Sequence, residues 1–310
     1  MPTGKLYRNG LTMGAGGNRA PVGGKRGRVE GWSTAAVRRH TRWLYGVDTE
    51  SLTGHGWSLT LTLAEIPPTP EAWTRLRKEW LDQVRASGLV LRSHWVVEWT
   101  RRKRPHLHCA VYLHDDLSTA DAWRLLVGPW LRLAAKYGSG PRGQHLAPIT
   151  GALGWLEYLS KHAARGVAHY QRQGKPPGWE TTGRLWGHTG GWPTVEPAEV
   201  DLTREEFYRF RRLVRSWRVA DARQQLREAR DLGEAAAARR RIRSARRMLA
   251  SNDRDLSRVR GVSEWIPEGL GMALLLIAAG DVAGAGALQA ERAPGPRRAP
   301  RPQRQTVESW

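Results

Sequence analysis

Cysteine is almost missing from the 310-residue chain, which holds Cys109 and no other. That excludes an intramolecular disulfide framework and any cysteine-built zinc cluster, and makes a reducing, cytoplasmic setting the simplest expectation. The chain also lacks a Gly-x-x-x-x-Gly-Lys-Ser/Thr loop, so no NTP-driven helicase is built in. Residues Met1–Arg28 contain no apolar core of signal-peptide length, so no export signal is read there. Long hydrophobic runs are missing too. The densest, Met272-Ala-Leu-Leu-Leu-Ile-Ala-Ala, lies in a stretch (269–288) broken by Asp281 and five glycines. Its apolar part falls short of the ~20 residues a spanning helix needs, so a packed helix and no membrane partner are expected. Internal repeats are absent as well.

Acidic residues are in short supply: 29 stand against 50 Lys and Arg, a formal net charge of +21. Such an excess predicts a polyanionic partner, with nucleic acid first, because neutralised phosphates release counterions. Arg greatly outnumbers Lys. Guanidinium forks suit phosphate and guanine, and a GC-rich genome gives the same bias with no functional cause. A 40% hydrophobic content provides for a real core, in one large domain or a domain with appendages.

Four segments are expected along the chain. Residues 1–28, Gly-rich and basic, read as a flexible arm. Residues 29–195 alternate short strand-like runs with amphipathic helices. In Trp57–Leu63, Leu59, Leu61 and Leu63 alternate with Ser58, Thr60 and Thr62, the period of a half-buried strand. Trp73, Leu76, Trp80, Leu81 and Val84 fall at helical spacing, with Gly88 as a stop. Strands at 93–100 and 105–113 flank Arg101-Arg-Lys-Arg104, which reads as a hairpin with a positively charged, solvated tip. Ser118 or Thr119 can cap a helix carrying Trp123, Leu126, Val127, Trp130 and Leu131. A further helix is expected over about 154–164. Residues 196–265 read as an Arg-dense helical extension: 18 Arg face nine acidic residues between Asp201 and Arg260, with Phe207, Phe210, Leu213, Val214 and Trp217 as its buried stripe. A solvated, charge-laced helical pair and a DNA-contacting face both suit this composition. Residues 266–310 read as an apolar helix and a Pro/Arg-rich tail.

The central chemical signal is His106-Leu-His108. In a strand, side chains at i and i+2 share a face, so both imidazoles can meet one ion while Leu107, Cys109 and Val111 pack behind. Imidazole pairs suit Mn, Zn, Fe or Ni better than Mg alone. Glu98, on the preceding strand, is the nearest carboxylate upstream and could complete a three-ligand site, although two ordinary surface histidines would give the same pattern. Fifty residues on, Trp155-Leu-Glu-Tyr158-Leu-Ser-Lys161-His162 places Tyr158, Lys161 and His162 on one helical face. A phenol with pKa near 10 needs a neighbouring cation and a polarised electrophile to act as a nucleophile. A snorkelling surface pair is the blander reading of Tyr-x-x-Lys.

Taken in order, Ser58–Leu63, Pro105–His108 and Tyr158–Lys161 resemble the three motifs of HUH-class rolling-circle replication initiators of bacterial plasmids. They are similar as well to filamentous-phage replication proteins. A tyrosine placed last distinguishes this class from conjugative relaxases, whose nucleophile precedes the histidines. Gly31-Trp-Ser-Thr34 with Arg38-Arg39, and Gly183–Gly187, are similar to the class's flanks, so the resemblance covers about residues 29–195. It implies an α+β fold, a central antiparallel sheet flanked by helices. His106, His108 and Glu98 would be ligands of a divalent ion, Mn²⁺ or Mg²⁺, with Tyr158 the nucleophile and Lys161 its electrostatic helper. The implied activity is nicking and rejoining of single-stranded origin DNA in a bacterial cytoplasm, with a host helicase and polymerase as partners and an oligomer allowed. A single-tyrosine transposase of the same class, and a non-enzymatic basic DNA-binding regulator, are the alternatives.

Overall fold

The computed structural model describes residues 1–14, 27–150, 167, 169–229, 231–250, 263–266 and 268–290. The chain opens on a hairpin, β1 (Thr3–Tyr7) and β2 (Gly10–Gly14). Helix α1 (Thr34–Gly46), β3 (His55–Thr62), α2 (Pro70–Arg85), β4 (Val90–Trp99) and β5 (Pro105–Leu113) follow. A broken helical run, α3 (Thr119–Ala122), a π-helical turn (Trp123–Val127) and α4 (Gly128–Leu133), precedes β6 (His145–Ile149). Next come β7 (Trp186–Gly190), β8 (Ala198–Asp201), α5 (Arg204–Arg227), α6 (Leu232–Ala250), β9 (Ser263–Trp265), α7 (Glu268–Ala279) and α8 (Val282–Ala290). The fold is α+β with two antiparallel sheets, in the orders β6-β3-β5-β4-β7 and β8-β1-β2-β9.

The larger sheet follows from period-two patterning. Trp57, Leu59 and Leu61 of β3, Trp95, Val97 and Trp99 of β4, and Leu107, Cys109 and Val111 of β5 form one buried face. Against it α2 lays Trp73, Leu76, Trp80 and Val84, and the run through α4 adds Leu126, Val127 and Trp130. Indole N–H groups buried there find carbonyls: Trp80 donates to Leu126 at 2.8 Å and Trp130 to Thr62 at 3.3 Å. Thr69 caps α2, accepting from Ala72 N with Pro70 in the first turn, and Ser118 caps α3, accepting from Asp121 N. The opposite face of the sheet is polar along β3, β4 and β5, and α1 covers one end of it. There the His40 and His94 Nε2 atoms lie 3.0 Å apart and Trp43 stacks on His94 and His188.

The N-terminal residues depart from the flexible arm expected for 1–28. β1 pairs with β2 and with β8, and β2 pairs with β9. Leu6, Leu11 and Met13 share a core with Leu202, Phe207, Phe210 and Val214, and with Ile266, Leu275 and Ala278. Residues 3–14, 198–227 and 263–279 are therefore parts of one packed unit, so the division expected at 265/266 crosses a core, whereas a second core built from residues 32–185 lies within the segment expected over 29–195. The local composition gives no hint of this, because β8, which pairs with the outer edge of the hairpin, lies almost two hundred residues from β1. Phe207, Phe210 and Val214 are buried and Leu213 and Trp217 partly so, the stripe expected for this helix. The Arg-dense pattern breaks into the pair α5 and α6, joined by Arg241, which donates to Gln225 at 2.6 Å and lies 3.3 Å from Asp221. Residues 251–262 and the helix expected over 154–164 fall outside the described residues.

The two sheets meet where the β1–β2 turn docks on α1. Buried Asn9 donates to the Tyr45 carbonyl from its backbone at 3.0 Å and from its side chain at 3.3 Å. A Cβ on Gly10 would lie 2.5 Å from the Tyr45 ring, so only glycine fits this approach. Arg8 gathers Asp48, Glu50 and Glu268. Among the described residues no helix is long and apolar enough to cross a membrane.

If residues 1–14 are structural, Leu11→Ala, at a fully buried position, should cost about 2–5 kcal/mol. Urea unfolding of the full chain measures this. An unchanged midpoint would mean that the hairpin contributes nothing to the fold.

Candidate active site

Register between the three central strands decides which side chains meet. Across the polar face Thr62 pairs with His106 and His106 with Glu98, while Thr60 pairs with His108 and His108 with Val96. The two histidines thus face the same way, with ring centroids 4.4 Å apart, and Glu98 points to their side of the sheet. Leu107 and Cys109 face the core, as expected, and burial pushes the Cys109 thiol well up, so it stays protonated at neutral pH.

Glu98 is fully buried and His108 almost so, while His106 is partly exposed. Although His106 is the Cα partner of Glu98, the carboxylate reaches diagonally: its Oε2 lies 3.5 Å from Nε2 of His108. On its other side His108 Nδ1 is 3.0 Å from the Thr60 hydroxyl. A tautomer with Nδ1–H donating to Thr60 would turn the Nε2 lone pair of His108 toward the Glu98 side, as a metal ligand requires. Two donors about 2.1 Å from one ion lie roughly 3–3.5 Å apart at ordinary coordination angles, so the spacing of His108 and Glu98 suits a shared cation. Among the described residues no three His, Cys, Asp or Glu side chains are gathered closely enough, as they stand, to hold a metal.

The remaining oxygen of Glu98 is held by a residue that sequence reasoning missed. Arg172 Nε lies 3.3 Å from Glu98 Oε1, and both side chains are wholly shielded from solvent. The guanidinium also sits 4.3 Å over the Trp32 ring, whose indole N–H donates to the Val97 carbonyl at 2.9 Å. Burial pulls Arg172 down to about 10, so it remains a cation at neutral pH and neutralises the buried carboxylate. Nothing local in the sequence marks Arg172, because its partner stands 74 residues upstream.

Arg172 ends a 3₁₀ turn, Tyr170–Arg172, capped by His169. Tyr170 is thereby part of a defined turn. The Arg101–Arg104 tip is also less free than expected: Arg101 and Arg102 are exposed, but Lys103 Nζ donates to the Gln173 carbonyl at 2.7 Å and Arg101 lies 5.7 Å over the Tyr170 ring. Tyr112 shares the histidine face but is buried, and its phenol is pushed well up. Tyr158, Lys161 and His162 lie outside the described residues. A groove of about 610 Å³ is lined by Thr62, the strand partner of His106, by Arg104 and by the Gly138–Gln144 loop with Arg142. Gln144 locks that loop, accepting from Thr62 N at 2.7 Å and donating to the Gly140 carbonyl at 2.8 Å.

The polar face of the sheet thus carries paired histidines beside a buried carboxylate, on a chain whose formal net charge of +21 suits a polyanionic partner. The chain belongs to the replication-associated protein ORF2/G2P family, whose model matches residues 56–163, a span that includes Tyr158 and Lys161. It is 42% identical to replication-associated protein G2P of Pseudomonas phage Pf3, over 85% of this chain and 92% of that one. It is 44% identical to a candidate replication protein of Xylella fastidiosa strain 9a5c, over 86% of this chain and 93% of that one. A second candidate replication protein, from strain Temecula1, is 43% identical over 86% and 99%. A solved pyridine synthase from thiomuracin biosynthesis is similar only at a TM-score of 0.20 and 11% identity, over 77% of this chain and 84% of that one, too little to bear on the fold.

Replacing Glu98 by Gln should strand a buried guanidinium and cost about 3–5 kcal/mol. Adding Arg172→Met to that variant should cost at least about 1 kcal/mol less than the same change in the native chain. Urea unfolding of the four proteins gives the coupling; strictly additive losses would show that the pair does not act as one.

Proposed function

We propose that this protein initiates rolling-circle replication by nicking single-stranded origin DNA, as an HUH endonuclease of a small bacterial replicon. The observation that carries the reading is the register that sets His106 and His108 on one face, with Glu98 reaching His108 across it. Family membership favours replication over the transposase and regulator alternatives.

In this reading His106, His108 and Glu98 hold the divalent ion, Mn²⁺ or Mg²⁺. When bound, it polarises the scissile phosphate and offsets charge building on its oxygens. The donor chemistry of two imidazoles and a carboxylate, with Thr60 fixing His108 from behind, fits such an ion. Tyr158 attacks phosphorus, forming an O–P bond at the 5′ side while the bond to the 3′ oxygen breaks. The phenolic proton is transferred overall to that oxygen, which leaves as a 3′ hydroxyl able to prime a host polymerase. Lys161, three residues on, lowers the cost of the phenolate. The phosphotyrosine conserves the ester's energy, so a later 3′ hydroxyl reverses the reaction and rejoins strands without ATP. Unwinding falls to a host helicase.

The exposed arginines of α5 and α6, Arg212, Arg223, Arg239, Arg240 and Arg243 among them, supply sequence-independent affinity for the duplex around the nick.

Three variants test the chemistry. Incubated with Mn²⁺ and single-stranded oligonucleotides, the native chain should gain the mass of a covalently attached DNA fragment on Tyr158. Tyr158→Phe should form none there, and His106→Ala and His108→Ala should each lose adduct and Mn²⁺ affinity together while remaining folded. Adduct on Tyr158→Phe, or unaltered Mn²⁺ binding by both histidine variants, refutes the assignment. For the helical pair, Arg239→Ala/Arg240→Ala/Arg243→Ala should flatten the plot of log affinity against log salt by up to about three units on duplex DNA. An unchanged slope removes this face from DNA binding. Truncation after Val200 cannot serve instead, because it would strip Phe207, Phe210 and Ile266 from the core that Leu6 and Leu11 complete.

A further inference from the structure

The His169–Gln173 turn has two unlike ends. Its Arg172 is buried on Glu98, whereas Tyr170, two residues earlier, leaves 48% of its surface exposed. The turn is fastened at several points: His169 caps it, Arg172 lies between Glu98 and Trp32, and Lys103 donates to the Gln173 carbonyl. Tyr170 is thus held within about 7 Å of chain from the residue that grips the metal-site carboxylate. An aromatic ring displayed on so rigid a mount loses little conformational entropy when something stacks on it.

Its surroundings specify the ligand. Arg101 lies 5.7 Å over the Tyr170 ring, the His169 ring is 4.8 Å away, and Arg102, next in sequence to Arg101, is exposed. A half-exposed aromatic with a guanidinium group at its ring matches the pairing of base stacking with backbone neutralisation by which proteins hold single-stranded nucleic acid. We propose that Tyr170 is a stacking platform for an unpaired base next to the scissile phosphate, with Arg101 holding the adjoining phosphate. The position beside a cleavage centre rests on the function proposed above, but the binding itself does not. Bases within a duplex present no face to such a ring, so the platform also selects single strands over paired DNA. Tyr170 acts here through its ring and not its hydroxyl.

The test is equilibrium binding by the full chain, without divalent metal, of a fluorescein-labelled, mixed-sequence 20-nucleotide single strand. Loss of one stacked base predicts about 5- to 100-fold weaker binding for Tyr170→Ala. Tyr170→Phe keeps the ring and should bind within about twofold of the native chain, and the matching duplex should bind equally well to all three. Arg101→Ala should reduce the salt slope on the single strand by about 0.7. Native affinity in Tyr170→Ala, equal loss in Tyr170→Phe, or a duplex weakened as much as the single strand would each overturn the proposal. So would a DNA adduct on Tyr170 in the native protein, since that assigns its hydroxyl to chemistry. Because no cleavage is measured in the binding assay, failure of the nuclease reading leaves its outcome intact, and the reverse also holds.

Discussion

The pairing of β4 with β5 is the constraint on which the polar site depends. Side chains alternate faces along both strands, so a slip of one residue would carry Glu98 into the apolar layer and bring Val97 or Trp99 out among the histidines. That slip is opposed by the large side chains on the far face of β4, since Trp95, Val97 and Trp99 would have to leave a core they share with α2. The site is positioned by hydrophobic packing behind it more than by contacts within it. A buried carboxylate would be costly in such a place, and Arg172 with His108 offsets that cost from two sides.

Much of this arrangement was legible in the sequence because it depends on periods of two. The alternation of Leu59 and Leu61 with Ser58 and Thr60, the shared face of His106 and His108, and the inward turn of Cys109 all follow from strand geometry alone. Glu98 was harder. Its candidacy came from being the nearest upstream carboxylate, and its facing came only with the hairpin register. Arg172 was illegible, since an arginine among many in a basic chain carries no mark of burial. Tyr170 is equally unmarked in the sequence, and a buried ion pair two residues away fixes it.

The N-terminal hairpin shows the opposite failure. Gly-rich, basic sequence ordinarily signals an unstructured arm, and the short apolar alternation at Leu6, Leu11 and Met13 is too slight to outweigh it. These strands exist because other segments complete them: β8 and β9 supply pairing, and α5 and α7 supply the apolar cover. Local composition measures what a segment does by itself, and here the segment does almost nothing by itself.

That dependence orders events on the ribosome. β1 emerges about 190 residues ahead of β8, a wait of roughly 10–40 s at ordinary elongation rates. The five strands of the larger sheet all lie between His55 and Gly190, so that sheet can close while β1 and β2 still have only each other. During that interval Leu6, Leu11 and Met13 remain wet and two backbone edges stand unpaired, open to any other extended chain nearby. A nascent chain paused in the stretch before Ala198 would therefore expose these apolar residues beside a sheet that has already closed.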